Sequence, residues 1–487
     1  MSGNTEEMLE DYRRRMNLPA AELRKVRDVF LEELHTGLER SGNSSLLMLP
    51  TMVDILPDGH EHGEFFSINF GGSTLRLAYV VLGKGHKEVD RIEESEQKIP
   101  EELRKRHATE LFDFLATELI DFADRIDIPI SGRLTIGFCF SFPVQQISIN
   151  SGRLMTWVKG FECEGAVGQD PTRLLDDAFR RQGVLVSIPA MTNDTVATLA
   201  AVRYRDGQDA FIAAVMGTGT NASYVEQIKN LPKYLPQYMP RTSDMCVNTE
   251  WPGFFSHSLP ILNEDQELDA ESDHPGQHCF EKLTAGLYLG EIARRILLRF
   301  AKVGCLFGGD VPETLLRQGA VDSSQVGRIH SDDTPDLLKT GAFLEQIVGI
   351  NPEKNTHTLR TQVKAICDLV ANRSAQLMAA TVVGLLTHLG RVDTSQPLQK
   401  NVLAIDGGIL INWPNYRVQM TAAIKEICGQ EVYDNLHMKI PAGGAAFGAA
   451  CIAAAANNYM RSAGHGYRPP ARSVSSYFPP RRPSQTF

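Results

Sequence analysis

FFSINFGGSTLRLAYVVLG, residues 65–83, holds two runs of strand character on either side of Gly71-Gly72. Both runs are rich in Val, Leu, Phe and Tyr, and a glycine pair between two such runs predicts a β-hairpin. Its tip, Gly71-Gly72-Ser73-Thr74, carries little side-chain bulk. Backbone N–H groups at such a tip are open and form a nest for phosphate oxygens. A second element repeats the pattern: apolar AFIAAVM at 210–216, then Gly217-Thr218-Gly219-Thr220-Asn221, then ASYVE. A third closes the apolar VLAI at 402–405 with Asp406-Gly407-Gly408. One glycine turn is weak evidence. Two at related positions in two halves of a chain predict facing α/β halves whose turns approach a nucleotide from both sides of a cleft.

The remaining segments fit that α/β frame. Leu23, Val26, Phe30, Leu34 and Leu38 recur at helical spacing, as do Leu111, Leu115, Leu119 and Phe122 within 103–126. Residues 134–142 and 184–190 read as strands, and 192–203 as a helix following the second of them. Helical spacing continues over 281–302 and roughly 356–390, and GGAAFGAA at 443–450 opens an Ala-rich helix able to sit close to a sheet or a ligand. From Asn457 onward there are five Arg, five Pro, five Ser and no acid, the composition of a disordered basic tail. A protein partner for that tail is the sharper expectation, a solvated terminus the plainer one.

Composition narrows the function. With 487 residues and 43% apolar content, the chain can bury a large core. Its net charge of −10 argues against nucleic acid or anionic membrane as partner, though phosphate ligands remain open because backbone N–H groups bind them. The eight cysteines are scattered with no CxxC or CxxH pair, which argues against zinc and fits a reducing compartment. The N-terminal residues lack the apolar segment of a signal peptide. The apolar run at 377–386 is about half of what a membrane span needs. A soluble, cytoplasmic protein without a membrane span is expected.

Asp194, in Thr192-Asn193-Asp194-Thr195, follows a strand and starts a helix. That place suits an N-cap as well as a general base taking a proton from a hydroxyl that attacks phosphorus. Glu250 in NTEW, Glu281 after PGQHCF and Lys159 in TWVKGF each read alone as surface charges. His60 and His62 have no third ligand near them in sequence, so no protein metal site is expected. Magnesium would arrive with ATP, held by its phosphates.

Taken together and in order, these segments resemble the eukaryotic-type hexokinases over about residues 20–455. NFGGSTLRL and MGTGTNASY resemble the two phosphate motifs, and FSFP and TWVKGF the sugar-binding segments. TNDTVAT matches the segment with the catalytic aspartate. NTEW and PGQHCFEKLTAGLYLGEI match the carboxylate segments, and IDGG and GGAAFGAA the C-terminal nucleotide region. The resemblance implies an actin-like, two-domain α/β fold and ATP-dependent phosphorylation of a sugar 6-hydroxyl, with Mg2+. It makes Asp194 the base. It places Ser141, Lys159, Asn193, Asn221, Glu250 and Glu281 on the sugar hydroxyls. Gly71, Gly72, Ser73, Arg76, Gly217, Thr218 and Gly219 would cradle phosphates, and Asp406, Gly407, Gly408, Gly444 and Gly448 would line the nucleotide side. The matching organisation is a flexible 1–18, a helical part at 19–63, a small domain at 64–193, a large domain at 194–441, a helix at 442–456 packing on the small domain, and the tail at 457–487.

Some positions depart from the family. Asn69 stands where an Asp is usual, Val158 where a Thr precedes the sugar-site Lys, and Ala445 and Phe447 replace a Ser and a Lys. GGST and the GAAFGAA ending are most similar to fungal N-acetylglucosamine kinases and atypical fungal hexokinases. Three readings therefore stay open: a kinase of N-acetylglucosamine, favoured here; a glucose or fructose hexokinase; and a weakly active or silent hexokinase-like sugar sensor.

Overall fold

The computed structural model describes residues 2–39, 43–233, 240–395 and 397–462. Two mixed sheets organise it, and both follow one plan. In the first, strands Gly63–Phe70, Thr74–Leu82 and Val89–Lys98 form an antiparallel meander. Arg133–Phe140 then adds parallel to the first of these, and Leu185–Thr192 parallel to Arg133–Phe140. In the second, Ala210–Met216, Thr220–Gln227 and Asp244–Asn248 form the meander. Asn401–Asp406 and then Leu436–Lys439 extend it in parallel, and the short Leu49–Pro50 closes the other edge. Each sheet thus turns its first hairpin tip, at 71–73 and at 217–219, toward the same region of the molecule.

The expected hairpins, their glycine tips and the strand before Asp406 are all present. Expectation and structure differ elsewhere. The first eighteen residues, expected to be flexible, contain the helix Ser2–Met16, with Thr5, Leu9, Tyr12 and Met16 buried at spacings of three and four. The Tyr12 hydroxyl donates to Glu264 at 2.5 Å. The stretch 281–302 is two helices, Cys279–Thr284 and Gly286–Lys302. Gly286 and Leu287 turn their N–H groups onto the carbonyls of Gly217 and Thr218, at 2.9 and 3.0 Å. The helix Ala108–Arg125 starts later than its periodicity indicated, after a 3₁₀ turn at Glu101–Lys105. The C-terminal helix runs Gly444–Ser462, so the first residues assigned to the tail are helical, and 463–487 lie outside the described residues.

Two helices lie between the sheets. Asp194–Asp206 packs on the strands of the second sheet, Gly444–Ser462 on those of the first, and the two pack on each other. Their contact is close because both are lined with small residues: a Cβ at Gly448 would stand 1.7 Å from the Ala197 carbonyl oxygen. The larger core lies beside the second sheet, where helix His357–His388 is wrapped by Ala20–Leu38, Pro414–Cys428 and Gly286–Lys302. Helix His357–His388 is long and apolar enough to cross a membrane, yet most of it is buried in this core.

Candidate active site

A cleft of about 1470 Å³ opens between the two sheets. At its floor the strand Leu185–Thr192 gives way to the helix Asp194–Asp206. Asn193 is the N-cap: its Oδ1 accepts the Val196 N–H at 3.0 Å and the Thr195 hydroxyl at 3.1 Å. That assigns the capping work to Asn193 rather than Asp194. Asp194 accepts the Thr195 N–H at 2.9 Å and otherwise faces the cleft. Its own N–H donates to Ser141 Oγ at 3.1 Å, so Ser141 ties the aspartate backbone to the neighbouring strand end. Asn193 Nδ2 is out of solvent and has no hydrogen-bond partner among the described residues. A buried donor left this way is unfavourable unless something from outside accepts from it.

Lys159 comes from a loop held by an aromatic cluster. Phe142 and Trp157 meet edge to face at 4.8 Å, Trp157 stacks on Phe161 at 5.7 Å, and Trp157 Nε1 donates to the Cys163 carbonyl at 2.9 Å. Lys159 itself sits at φ 60°, an unusual place for a side-chain-bearing residue and a strain held by that packing. Its Nζ donates to the carbonyls of Gly71 at 2.7 Å and Ser141 at 3.1 Å. Val158 packs against the same cluster and lines the cleft.

The opposite wall carries the two glutamates. Glu250 is also left-handed, at φ 51°. Its Oε1 accepts from Asn248 Nδ2 at 2.6 Å and Asn221 Nδ2 at 3.3 Å. Glu281 Oε2 accepts the Thr220 N–H at 3.1 Å, and a Cβ at Gly219 would stand 2.6 Å from that oxygen. Burial pushes both carboxyls above the usual range, partly opposed by the Lys159 charge. Asp406 is raised as well, again by burial, while the Gly407 N–H at 2.7 Å and the Arg76 charge pull the other way. Asn248 was not singled out from sequence. Its signal was a lone amide in the apolar strand Asp244–Asn248, two residues before Glu250.

The three glycine turns border the same cleft: Gly71, Gly72 and Ser73 from one sheet, Gly217, Thr218 and Gly219 from the other, and Gly407 and Gly408 beside Asp406. Arg76 lines it too, its Nε donating to Glu96 at 3.0 Å. One expected nucleotide-side residue is placed differently: Gly448 faces Ala197 and is a helix-packing glycine. Gly444 stands against Asp406, whose Oδ2 would be 3.2 Å from a Cβ at that position. Ala445 does line the cleft, while the Phe447 ring packs on Tyr204 in a buried cluster. Among the described residues no three His, Cys, Asp or Glu side chains gather as metal ligands. A divalent ion would have Asp194 and Asp406 as carboxylates on the cleft wall and would depend on phosphate oxygens for most of its shell.

Two hexokinase family models match the chain, one over residues 8–204 and one over 211–455. Hexokinase-2 of Oryza sativa subsp. japonica is 38% identical over 464 residues, covering 94% of this chain and 93% of that one. Chloroplastic hexokinase-2 of Nicotiana tabacum is 40% identical over 448 residues, covering 91% and 88%. A hexokinase from Schistosoma mansoni complexed with glucose superposes with a TM-score of 0.82 at 27% identity, covering 93% of this chain and 99% of that one. The chain belongs to the hexokinase family. It is a phosphotransferase of that family, with the two-domain actin-like ATPase fold. None of these relatives is described as an amino-sugar kinase, so the resemblance to fungal N-acetylglucosamine kinases gains nothing from them.

Proposed function

We propose that the chain phosphorylates the 6-hydroxyl of a hexose with ATP, and that Asp194 is the general base. The observation that carries this is the convergence, in one cleft, of Asp194, Asn193 with its unpartnered Nδ2, Lys159, Glu250 and Glu281 with three glycine turns. A hexose offers many hydroxyls, and a ring of carboxylates and amides sorts them by paired hydrogen bonds. Asn193 Nδ2 and Lys159 donate to sugar oxygens; Glu250 and Glu281 accept from hydroxyls and fix the ring. The 6-hydroxyl then faces Asp194, which takes its proton as the oxygen bonds to phosphorus and the bond to the ADP oxygen breaks. ATP with magnesium supplies the phosphoryl group and the charge neutralisation. Apart from those of Gly217 and Gly407, which bond the Gly219 carbonyl and Asp406, the N–H groups of the glycine turns hold its phosphates in line with the hydroxyl.

For the sugar, the reading is glucose or fructose before N-acetylglucosamine. The relatives named above are hexokinases, and one of the similar structures is complexed with glucose. Val158 adds a small apolar wall beside Lys159, the one feature that still favours an acetamido methyl. ADP release measured with MgATP against glucose, fructose and N-acetylglucosamine tests the proposal. Turnover on glucose or fructose is expected. Turnover on N-acetylglucosamine alone would reverse the sugar order. Sugar binding without ADP release from any of the three would leave the sensor reading in its place.

A further inference from the structure

One buried ion pair in the wall of the cleft is not used by the chemistry above. Lys282 follows Glu281 on the short helix Cys279–Thr284, and only 2% of it is exposed. Its partner Asp269, 6% exposed, lies in the last turn of the helix Asn263–Ala270. Lys282 Nζ donates to Asp269 Oδ1 and, at 2.7 Å, to the His274 carbonyl. The two Asp269 oxygens also accept the Gly276 N–H, at 3.1 and 2.9 Å. Thus one carboxylate and one ammonium hold both limbs of the loop 271–278, whose residues are otherwise largely exposed. Asp273, His274 and His278 of that loop line the cleft next to Glu281. His278 itself is left-handed, at φ 54°, immediately before the helix that presents Glu281.

Adjacent residues on a helix point about 100° apart, so Glu281 can face the cleft while Lys282 turns back onto the loop. The helix has only six residues, too short to hold its own orientation in water. Its direction therefore comes from its surroundings. Phe280 and Leu283 are buried, the Phe280 ring lying against Trp251 and Phe254. Toward the cleft the Thr220 N–H holds Glu281, and on the loop side the Asp269–Lys282 pair holds Lys282.

We propose that Asp269 and Lys282 are positioning residues: their ion pair clamps the loop 271–278 and thereby sets where Glu281 stands toward the sugar, without either side chain acting on it. This rests on the hexose-kinase reading for its kinetic consequence but not for its structural one. Removing one charge leaves the other buried and unpaired, which destabilises by itself. The informative variant is therefore the double neutral Asp269→Asn/Lys282→Gln, which removes both charges of the pair together and keeps a hydrogen-bonding group at each position.

Two measurements on the full-length double variant decide the matter. Hydrogen exchange of residues 271–284 without ligand should speed up about tenfold or more, with exchange elsewhere unchanged. The glucose KM should rise about tenfold while the ATP KM stays within about twofold, since small displacements of a positioning group cost this much or more. A double variant that folds with wild-type exchange at 271–284 overturns the clamp, whatever the sugar reading. Faster exchange with an unchanged glucose KM shows a purely structural pair and overturns the positioning role. If the wild type phosphorylates no hexose, the function reading fails, and the exchange measurement alone judges the clamp. If that variant does not fold, a second double neutral, Asp269→Asn/Lys282→Met, is read in the same two ways.

Discussion

Replacing Glu250 by Gln separates what the fold prefers from what the site needs. The substitution keeps length and shape, and the amide oxygen can still accept from Asn248 Nδ2, now at 2.6 Å from Glu250 Oε1. What is lost is the negative charge presented to the sugar. A hydrogen bond to a charged group is worth about 1.5–3 kcal/mol, and each 1.4 kcal/mol is tenfold, so the sugar KM should rise about 10- to 150-fold. Stability should move the other way. Burial raises the Glu250 carboxyl, so the folded chain holds that proton more tightly than the unfolded chain does. For a raised carboxyl, the associated stability is fully present below the unfolded value and is lost as pH rises through the folded one. Above the folded value the wild type has lost it; the glutamine never had that charge to bury. The Gln variant should therefore melt above the wild type at pH 8, and the margin should shrink toward pH 4. Initial rates over a glucose titration and melting by calorimetry at both pH values read the two effects. A sugar KM within twofold of wild type, or a Gln variant that melts lower at pH 8 than the wild type, would refute the reasoning.

Four further outcomes are expected. Asp194→Asn should lose about 10²–10⁴ in kcat while calorimetry still registers glucose binding; near-normal turnover would return the residue to a structural role. Asn69→Asp should raise the MgATP-dependent rate across a magnesium titration, because a charged oxygen holds a hard cation better than an amide; a slower Asp form at every concentration counts against this. The kcat/KM for glucose should fall on the acid side at a pH above about 4.3, the ordinary glutamate value, since both Glu250 and Glu281 are raised. Gly448→Ala should cost about 1–3 kcal/mol in urea unfolding, because the new methyl meets the Ala197 carbonyl; an unchanged midpoint means the two helices separate freely.

The glycine turns and their strands were legible because each is local: apolar residues, then a break that only small residues tolerate, as at 70–74 and 216–220. The duplication of the sheet plan was legible only in outline, since strand order depends on pairings between distant segments. The edge strand Val89–Lys98 escaped reading because its outer position lets it be EESEQ, with no alternation of apolar residues. The helix Ser2–Met16 escaped because its charged faces outnumber the narrow buried stripe of Leu9, Tyr12 and Met16. At the site, Asp194, Glu250 and Glu281 stood out as family motifs. Their supports did not: Asn248, Asp269 and Lys282 act through partners that sequence alone does not place, and Gly448 looked like a ligand residue when it is a contact between helices.

The helix Gly444–Ser462 lies on a sheet built from residues 63–192, some 250 positions earlier in the chain. On a ribosome the first sheet therefore emerges complete in its strands yet bare on one face. Gly137, whose missing Cβ leaves room for the Ala449 carbonyl, waits for a residue that is translated much later. At about 5–20 residues per second, that delay is on the order of tens of seconds. For that interval the apolar faces of Phe65, Ala78 and Val80, later covered by Phe447, Ala450 and Ala454, have only Ala201 and Tyr204 of their cluster from outside the sheet. The order of synthesis leaves that face of the amino-terminal sheet incompletely packed until the last helix arrives.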